Sequence, residues 1–258
     1  MLNVEEVILL KETVCHIPGA PKIAVLGDFH NGDYLSVLAS LRRHPIDIIC
    51  IPGDLIYAGA STEVFHINEQ KNVLPLLRGC MNIAPTFMSL GNHESILTQE
   101  NIELLCSTGT YILDNEWTSY KNFTIGGLTS HIVLNTRAYR LAFPDSVCST
   151  KNERNRNWKP ILYPDLSWLD RIPSGYTILL SHHPEYYPFL PKLNLVLSAH
   201  AHGGQWRLFN QGLFAPGQGF FPKYTSGIYG NMIVTRGLTN TARIPRINNP
   251  TEIIYVNP

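Results

Sequence analysis

Short, uninterrupted apolar runs that stop at polar tips recur along the chain: KIAVLGDFH (22–30), IDIICIPGD (46–54) and APTFMSLGNHE (84–94) in the first half. Runs of this length and content read as strands buried on both faces. Between them, DYLSVLASLRRH (33–44) repeats apolar residues at helical spacing through Leu35, Leu38 and Leu41, and NEQKNVLPLLRGC (68–80) reads as a second helix in spite of Pro75. Strand and helix alternating at this period predict parallel pairing through right-handed crossovers, which gathers the loops at the strands' carboxyl ends into one crevice.

After residue 120 the pattern changes. FTIGGLTSHIVL (123–134), YTILLSHHP (176–184) and LNLVLSAHAHGG (193–204) are strand-like, with a helix expected only around PDLSWLDRI (164–172), so a second sheet packed on the first is predicted. Residues 135–164, containing KNERNRNWKP, are polar and aperiodic and read as an inserted loop in a single domain spanning 1–258. Its cluster of Lys151, Arg154, Arg156 and Lys159 is interleaved with Asn and Glu153, which favours a solvated loop over a phosphate-reading lip. The segment from 203 to 229 is rich in Gly, Pro and aromatics and is expected to be ordered but irregular, with Phe214, Phe220, Phe221 and Tyr224 packed into a core.

Composition narrows the function classes. Lys plus Arg and Asp plus Glu balance at 20 each, so no net field argues for nucleic acid or an anionic membrane. Five cysteines, odd in number and without a C-x-x-C pair, fit neither a disulfide framework nor a thiolate zinc site, and Cys50 reads as a buried reduced thiol. No apolar stretch approaches the ~20 residues needed to span a bilayer, so a cytoplasmic protein is the expectation.

Five polar tips then carry the chemistry: GDFH, PGDL, GNHE, SHHP and AHAH. In an extended segment residues i and i+2 point the same way, so Asp28 with His30, and His200 with His202, are expected to face one point each. Asp28, His30, Asp54, Asn92, His182, His200 and His202 make seven O and N donors without a thiolate, a set suited to Mn, Fe or Zn and larger than one ion needs. Two ions about 3.5–4 Å apart sharing a carboxylate would use them all. Glu94 is placed either to orient a ligand or to stand in solvent; Asp33 and His44 read as a helix first-turn acid and a helix-end cation.

In their order, D-x-H, G-D, G-N-H-E, H and H-x-H, these motifs resemble the calcineurin-like metallophosphoesterase superfamily, and the tail HGGQWRL…APGQGFFPKYTSGIY…TRGL resembles a bacterial phosphohydrolase branch. The resemblance implies an α/β fold, with α+β variants open: two packed mixed β-sheets flanked by helices in a four-layer sandwich. It implies that Asp28, His30 and His202 hold one metal, that Asn92, His182 and His200 hold the other, and that Asp54 bridges. His93 would face substrate as acid or charge stabiliser, and His183, the second imidazole of SHHP, would be substrate-facing or behind the ligands. Phosphoester cleavage by a metal-bridged hydroxide follows, on a phosphodiester, phosphomonoester or pyrophosphate. One departure is Ala199, where the family usually has glycine before the last two ligands. GDLIYAG lacks the Asp-Arg-Gly of protein Ser/Thr phosphatases, which ranks a small or lipid-linked phosphoester above a phosphoprotein. An inactive metal-binding scaffold and a nuclease of the same superfamily remain the alternatives.

Overall fold

The computed structural model describes residues 10–58, 65–130, 164–209, 211–215, 219–242 and 244–258. The expected inserted loop and its basic cluster, together with His131 and Cys148, lie outside these except for Pro164.

In chain order the elements are β1 (Lys11–His16), β2 (Ile23–Val25), α1 (Tyr34–Leu41), β3 (Ile48–Ile51), α2 (Val73–Met81), β4 (Thr86–Ser89), α3 (Gln99–Cys106), β5 (Tyr111–Leu113), β6 (Glu116–Tyr120), β7 (Phe123–Leu128), β8 (Tyr176–Ser181) and β9 (Leu195–Ser198). There follow β10 (Trp206–Leu208), β11 (Gln211–Ala215), β12 (Gly219–Phe220), β13 (Gly227–Tyr229), β14 (Met232–Val234) and β15 (Glu252–Asn257). One six-stranded sheet runs β1-β15-β2-β3-β4-β5 and a second runs β13-β14-β9-β8-β7-β6, while β10-β11-β12 form a small third sheet. The predicted parallel core is present: β2, β3, β4 and β5 pair in parallel, as do β7, β8, β9 and β14. The antiparallel pairs β15–β2, β6–β7 and β13–β14 make both sheets mixed.

Residue alternation sorts each buried strand between two cores. Ile23 and Val25, Ile48 and Cys50, Ile178 and Leu180, and Leu195 and Leu197 fill the space between the sheets. Ala24, Ile49 and Ile51 instead face the helices, against Leu38, Leu41, Leu76, Leu77 and Leu105. On the far side, Leu179, Val196 and Met232 meet Trp168, Leu169 and Tyr186. Each such side chain removed from water contributes about 1.5–3 kcal/mol, which is why continuous apolar runs choose this doubly covered position.

The two-sheet sandwich is as expected, but its helical cover is one-sided among the described residues. PDLSWLDRI carries only a 3-10 turn at Leu169–Arg171, and a second 3-10 stretch at Pro184–Phe189 completes that layer. Pro75 falls in the first turn of α2, where an amide N–H has no intrahelical partner to lose. Leu35 is 64% exposed, contrary to its expected place in the apolar stripe, because α1 turns Val37, Leu38, Ser40 and Leu41 inward. Asp33 is the cap of that helix, its Oδ1 accepting from the Leu35 amide at 2.9 Å. Of the aromatics expected in a core only Tyr224 is buried; Phe220 and Phe221 are exposed and Phe214 is partly so. Cys50 and Cys80 are buried free thiols, pushed up by burial, Cys80 to about 12. No helix among the described residues is long and apolar enough to cross a membrane.

Candidate metal centre

The five polar tips meet where the carboxyl ends of the two sheets adjoin. Asp28 follows β2, Asp54 follows β3 and Asn92 follows β4 from the first sheet, while His182 follows β8, and His200 and His202 follow β9, from the second. The loops approach closely: a Cβ on Gly53 would stand 2.7 Å from the Gly91 backbone and 3.0 Å from His182 Nδ1, so a side chain there would wedge the tips apart. Ala199, the departure from the family pattern, is accommodated across from Gly27, whose missing Cβ would lie 2.7 Å from the Ala199 methyl.

Extended geometry is not what aims these side chains. Asp28, His30, Asp54, His200 and His202 all have left-handed backbone, with φ of 50°, 45°, 54°, 67° and 48°. Each costs about 1–2 kcal/mol for a residue with a Cβ, and such strain clusters where function requires it. The expectation that His200 and His202 face one point is therefore corrected. The His202 ring stacks on His30 with centroids 5.2 Å apart, whereas His200 stands 5.1 Å from His182 and 4.1 Å from His183.

Two carboxylates occupy the centre. Asp28 Oδ1 lies 4.0 Å from His30 Nε2, 4.0 Å from His182 Nε2 and 3.7 Å from His202 Nε2. Asp54 Oδ2 lies 3.1 Å from His182 Nε2 and 3.8 Å from both His30 Nε2 and His93 Nε2. Among the described residues, four groups of three bring their ligand-type atoms within 4.8 Å of one another: Asp28–His30–His202, Asp28–Asp54–His182, His30–Asp54–His93 and His182–His183–His200. Buried Asp28 Oδ2 and Asn92 Oδ1 make no hydrogen bond among the described residues.

The backbone decides which imidazole nitrogen carries a proton. His30 Nδ1 donates to the Ile56 carbonyl (3.1 Å) and His182 Nδ1 to the Pro52 carbonyl (2.9 Å). His202 Nδ1 is 3.2 Å from the Thr239 carbonyl, and the Arg246 guanidinium closes a triangle with both, at 3.0 Å from Nδ1 and 2.7 Å from the oxygen. A carbonyl only accepts, so these bonds leave Nε2 of His30 as a bare lone pair and turn Nε2 of His182 toward Asp54; at His202 the guanidinium only donates, so Nδ1 accepts from it when Nε2 carries the proton and donates to the carbonyl when Nε2 is bare. The Nε2 atoms of His30 and His202 face each other at 3.4 Å, so that a proton on one of them or a cation between the two rings would join them. His93 is the reverse: its Nδ1 accepts from the Ala58 amide at 2.9 Å, so its Nε2 carries the proton.

Glu94 is a buried acceptor rather than a solvated carboxylate. Its Oε2 accepts from the Asp54 and Gly91 amides, both at 2.8 Å, and its Oε1 from Ile56 at 3.1 Å. Burial and then the Asp54 charge push it up to about 7. Burial raises Asp28; at Asp54 the imidazoles of His182 and His93 outweigh burial and hold the carboxyl well below its usual range. Burial, with His93 next, lowers His30 to about 3, and burial with Arg246 lowers His202 to about 3, so both stay neutral ligand-type bases. At His182, Asp54 and then Asp28 overcome burial and raise the ring to about 9. His183 Nε2 is 2.7 Å from Ser130 Oγ, an anchor that no motif marks.

A family model described as calcineurin-like phosphoesterase matches residues 21–204. The chain belongs to that family. The matched span of this calcineurin-like phosphoesterase holds every residue of the cluster, but three supports lie beyond it: Thr239 and Arg246 at His202, and Asn249, whose Nδ2 donates to the His202 carbonyl at 2.7 Å. No spacing in the sequence marks those three. Among solved structures the phosphoesterase is similar to that of Haemophilus influenzae NAD nucleotidase, at 14% identity over 92% of this chain with a TM-score of 0.44. It spans 44% of that protein's length. No curated protein matches its sequence.

Proposed function

We propose that the chain is a phosphohydrolase that binds two metal ions, of Mn, Fe or Zn type, and cleaves a phosphoester bond. The observation that carries this reading is the convergence of imidazoles: the Nε2 atoms of His30, His182 and His202 all face two buried carboxylates, and His93 presents Nε2–H beside them. Asp28, His30 and His202 would hold one ion, Asn92, His182 and His200 the other, with Asp54 between them. Ions bound there supply a nucleophile from water at neutral pH and Lewis-acid stabilisation of the phosphoryl oxygens.

His93 then has a defined part. Its Nδ1 lone pair is committed to the Ala58 amide, so a second proton has no place on the ring without breaking that bond. Held as a neutral Nε2–H donor, His93 binds a phosphoryl oxygen and stabilises developing charge rather than delivering a proton to the leaving group. His183, whose ring centroid is 4.1 Å from that of His200, would support that ligand from behind or contact substrate.

The test begins with metal content by elemental analysis of wild type and Asp54→Asn, followed by hydrolysis of bis-p-nitrophenyl phosphate. About two ions per chain, falling sharply in Asp54→Asn, are expected. His93→Ala should lose about 10²–10³ in kcat, by the same factor for aryl and alkyl esters. A loss much larger for alkyl esters would instead make His93 the acid. Metal-loaded wild type inert toward phosphoesters would leave the scaffold reading.

A further inference from the structure

Every ring in the cluster is buried or nearly so, yet one aromatic beside it is 43% exposed: Tyr57. Its ring centroid lies 5.8 Å from that of His93, tilted by 30°, and 6.3 Å from that of His30, nearly edge-on at 85°. Tyr57 sits three residues after Asp54, in a segment that the site itself pins on either side. Ile56 offers its carbonyl to His30, and Ala58 its amide to His93. The Gln70 side chain holds Tyr57's own backbone at both groups, accepting from its amide at 3.1 Å and donating to its carbonyl at 3.4 Å. The backbone at this position is thus held from three sides, which narrows where the ring can go and lowers the conformational cost of binding a ligand.

We infer that Tyr57 is a specificity-determining residue that packs its ring against the organic group on the ester oxygen, selecting phosphoesters of ring-bearing alcohols, aryl or sugar, over those of small open-chain alcohols. The inference rests on the phosphohydrolase reading above. If His93 Nε2–H holds a phosphoryl oxygen, the substituent of that phosphorus extends within a few ångströms, and among the described residues the Tyr57 ring is an exposed apolar surface flanking His93 and His30. Flat faces and aromatic rings attract each other beyond simple burial, by an amount that corresponds to a few-fold to about tenfold in affinity. A side chain whose only duty was to wedge the two histidines would have no reason to keep so much of its surface in water.

Phenylphosphonate and methylphosphonate, which cannot be hydrolysed, separate ring recognition from chemistry. Their dissociation constants are to be measured by calorimetry on the metal-loaded chain, for wild type, Tyr57→Ala and Tyr57→Phe. Wild type is expected to prefer the phenyl compound about three- to tenfold, Tyr57→Phe to keep that ratio and Tyr57→Ala to bring it toward one. A wild-type ratio of one, or a ratio that survives in Tyr57→Ala, overturns the role of Tyr57 while leaving the phosphohydrolase reading intact. Failure of both phosphonates to bind wild type at any concentration overturns the phosphohydrolase reading, and this inference with it.

Discussion

Glu94 touches no candidate ligand side chain, yet it sets where one of them sits. By accepting from the amides of Gly91, Asp54 and Ile56, it ties the loop after β4 to the loop after β3 at the residue that lies between the two ligand groups. Both its oxygens are committed to donors, so an amide in its place must point its NH2 group at an N–H on one side or the other. Glu94→Gln is therefore expected to destabilise the fold by about 1–3 kcal/mol, the usual cost of a buried donor left unmatched. Metal content should fall with it, because Asp54 loses the bond that fixes its left-handed backbone. Urea unfolding of the metal-free chain and elemental analysis of the loaded one would check both; unchanged values would mean that the loops hold their geometry without the carboxylate. Glu94 was visible in the sequence as an acid beside Asn92 and His93, but its burial was not, since three amide donors converge on it from positions up to 40 residues away.

At the scale of elements, what was legible follows from how strands end. A strand buried on both faces must be a continuous apolar run, and its first polar residue marks where the chain leaves the sheet, so β2, β3, β4, β8 and β9 and the chemistry at their tips could be read directly. What could not be read was how the tips turn, because a left-handed Asp or His has no composition signal and is imposed by tertiary contacts. The same limit hid β1, whose exposed and half-buried residues carry no apolar run. Glu12 on that strand links the sheet edge to the end of α1: it accepts from Ser40 Oγ at 2.6 Å, pairs with Arg43 and lies 3.0 Å from His44 Nε2, while the His44 ring stacks on Tyr255. The Ser40 bond leads in drawing the carboxyl down from 4.5 to about 2 against burial, with His44 and Arg43 adding to it. A carboxyl that titrates lower when folded stabilises the fold above its unfolded value and loses that contribution as pH falls toward its folded one. Because Arg43 is 60% exposed and screened by water, the contribution at pH 7 is expected to be about 1 kcal/mol, well short of what the full shift implies. Wild type and Glu12→Gln should thus differ by that much in unfolding free energy at pH 7 and by less than half as much at pH 3. A gap independent of pH would show that the glutamate's charge is not what joins β1 to α1.

The whole molecule divides its candidate ligand set between two sheets. Asp28, His30, Asp54 and Asn92 stand at the tips of one, His182, His200 and His202 at the tips of the other, and the chain between β14 and β15 braces both: the Leu238 amide donates to the Gly27 carbonyl at 3.0 Å, Thr239 Oγ1 to the Phe29 carbonyl at 2.7 Å, and Asn249 to His202. Without cations, two buried carboxylates stand among the imidazoles of His30, His182 and His202 at the seam where the sheets meet. Ions bound there would join the sheets through six or seven ligands that the unfolded chain cannot bring together, so binding energy becomes folding energy. At a metal concentration 100 times the dissociation constant the gain is about 2.7 kcal/mol per site, which for a chain of this size raises Tm by roughly 5–10 °C. Thermal scans of chelator-treated protein with and without added Mn, Fe or Zn should show a shift of that order. In His182→Ala and His202→Ala it should shrink, each variant removing a ligand from the second sheet. A reloaded wild type that melts within about 1 °C of the stripped protein would mean that the carboxylates and imidazoles satisfy one another as a polar core, and the seam would then have to be explained by the His182–Asp54 ion pair at 3.1 Å.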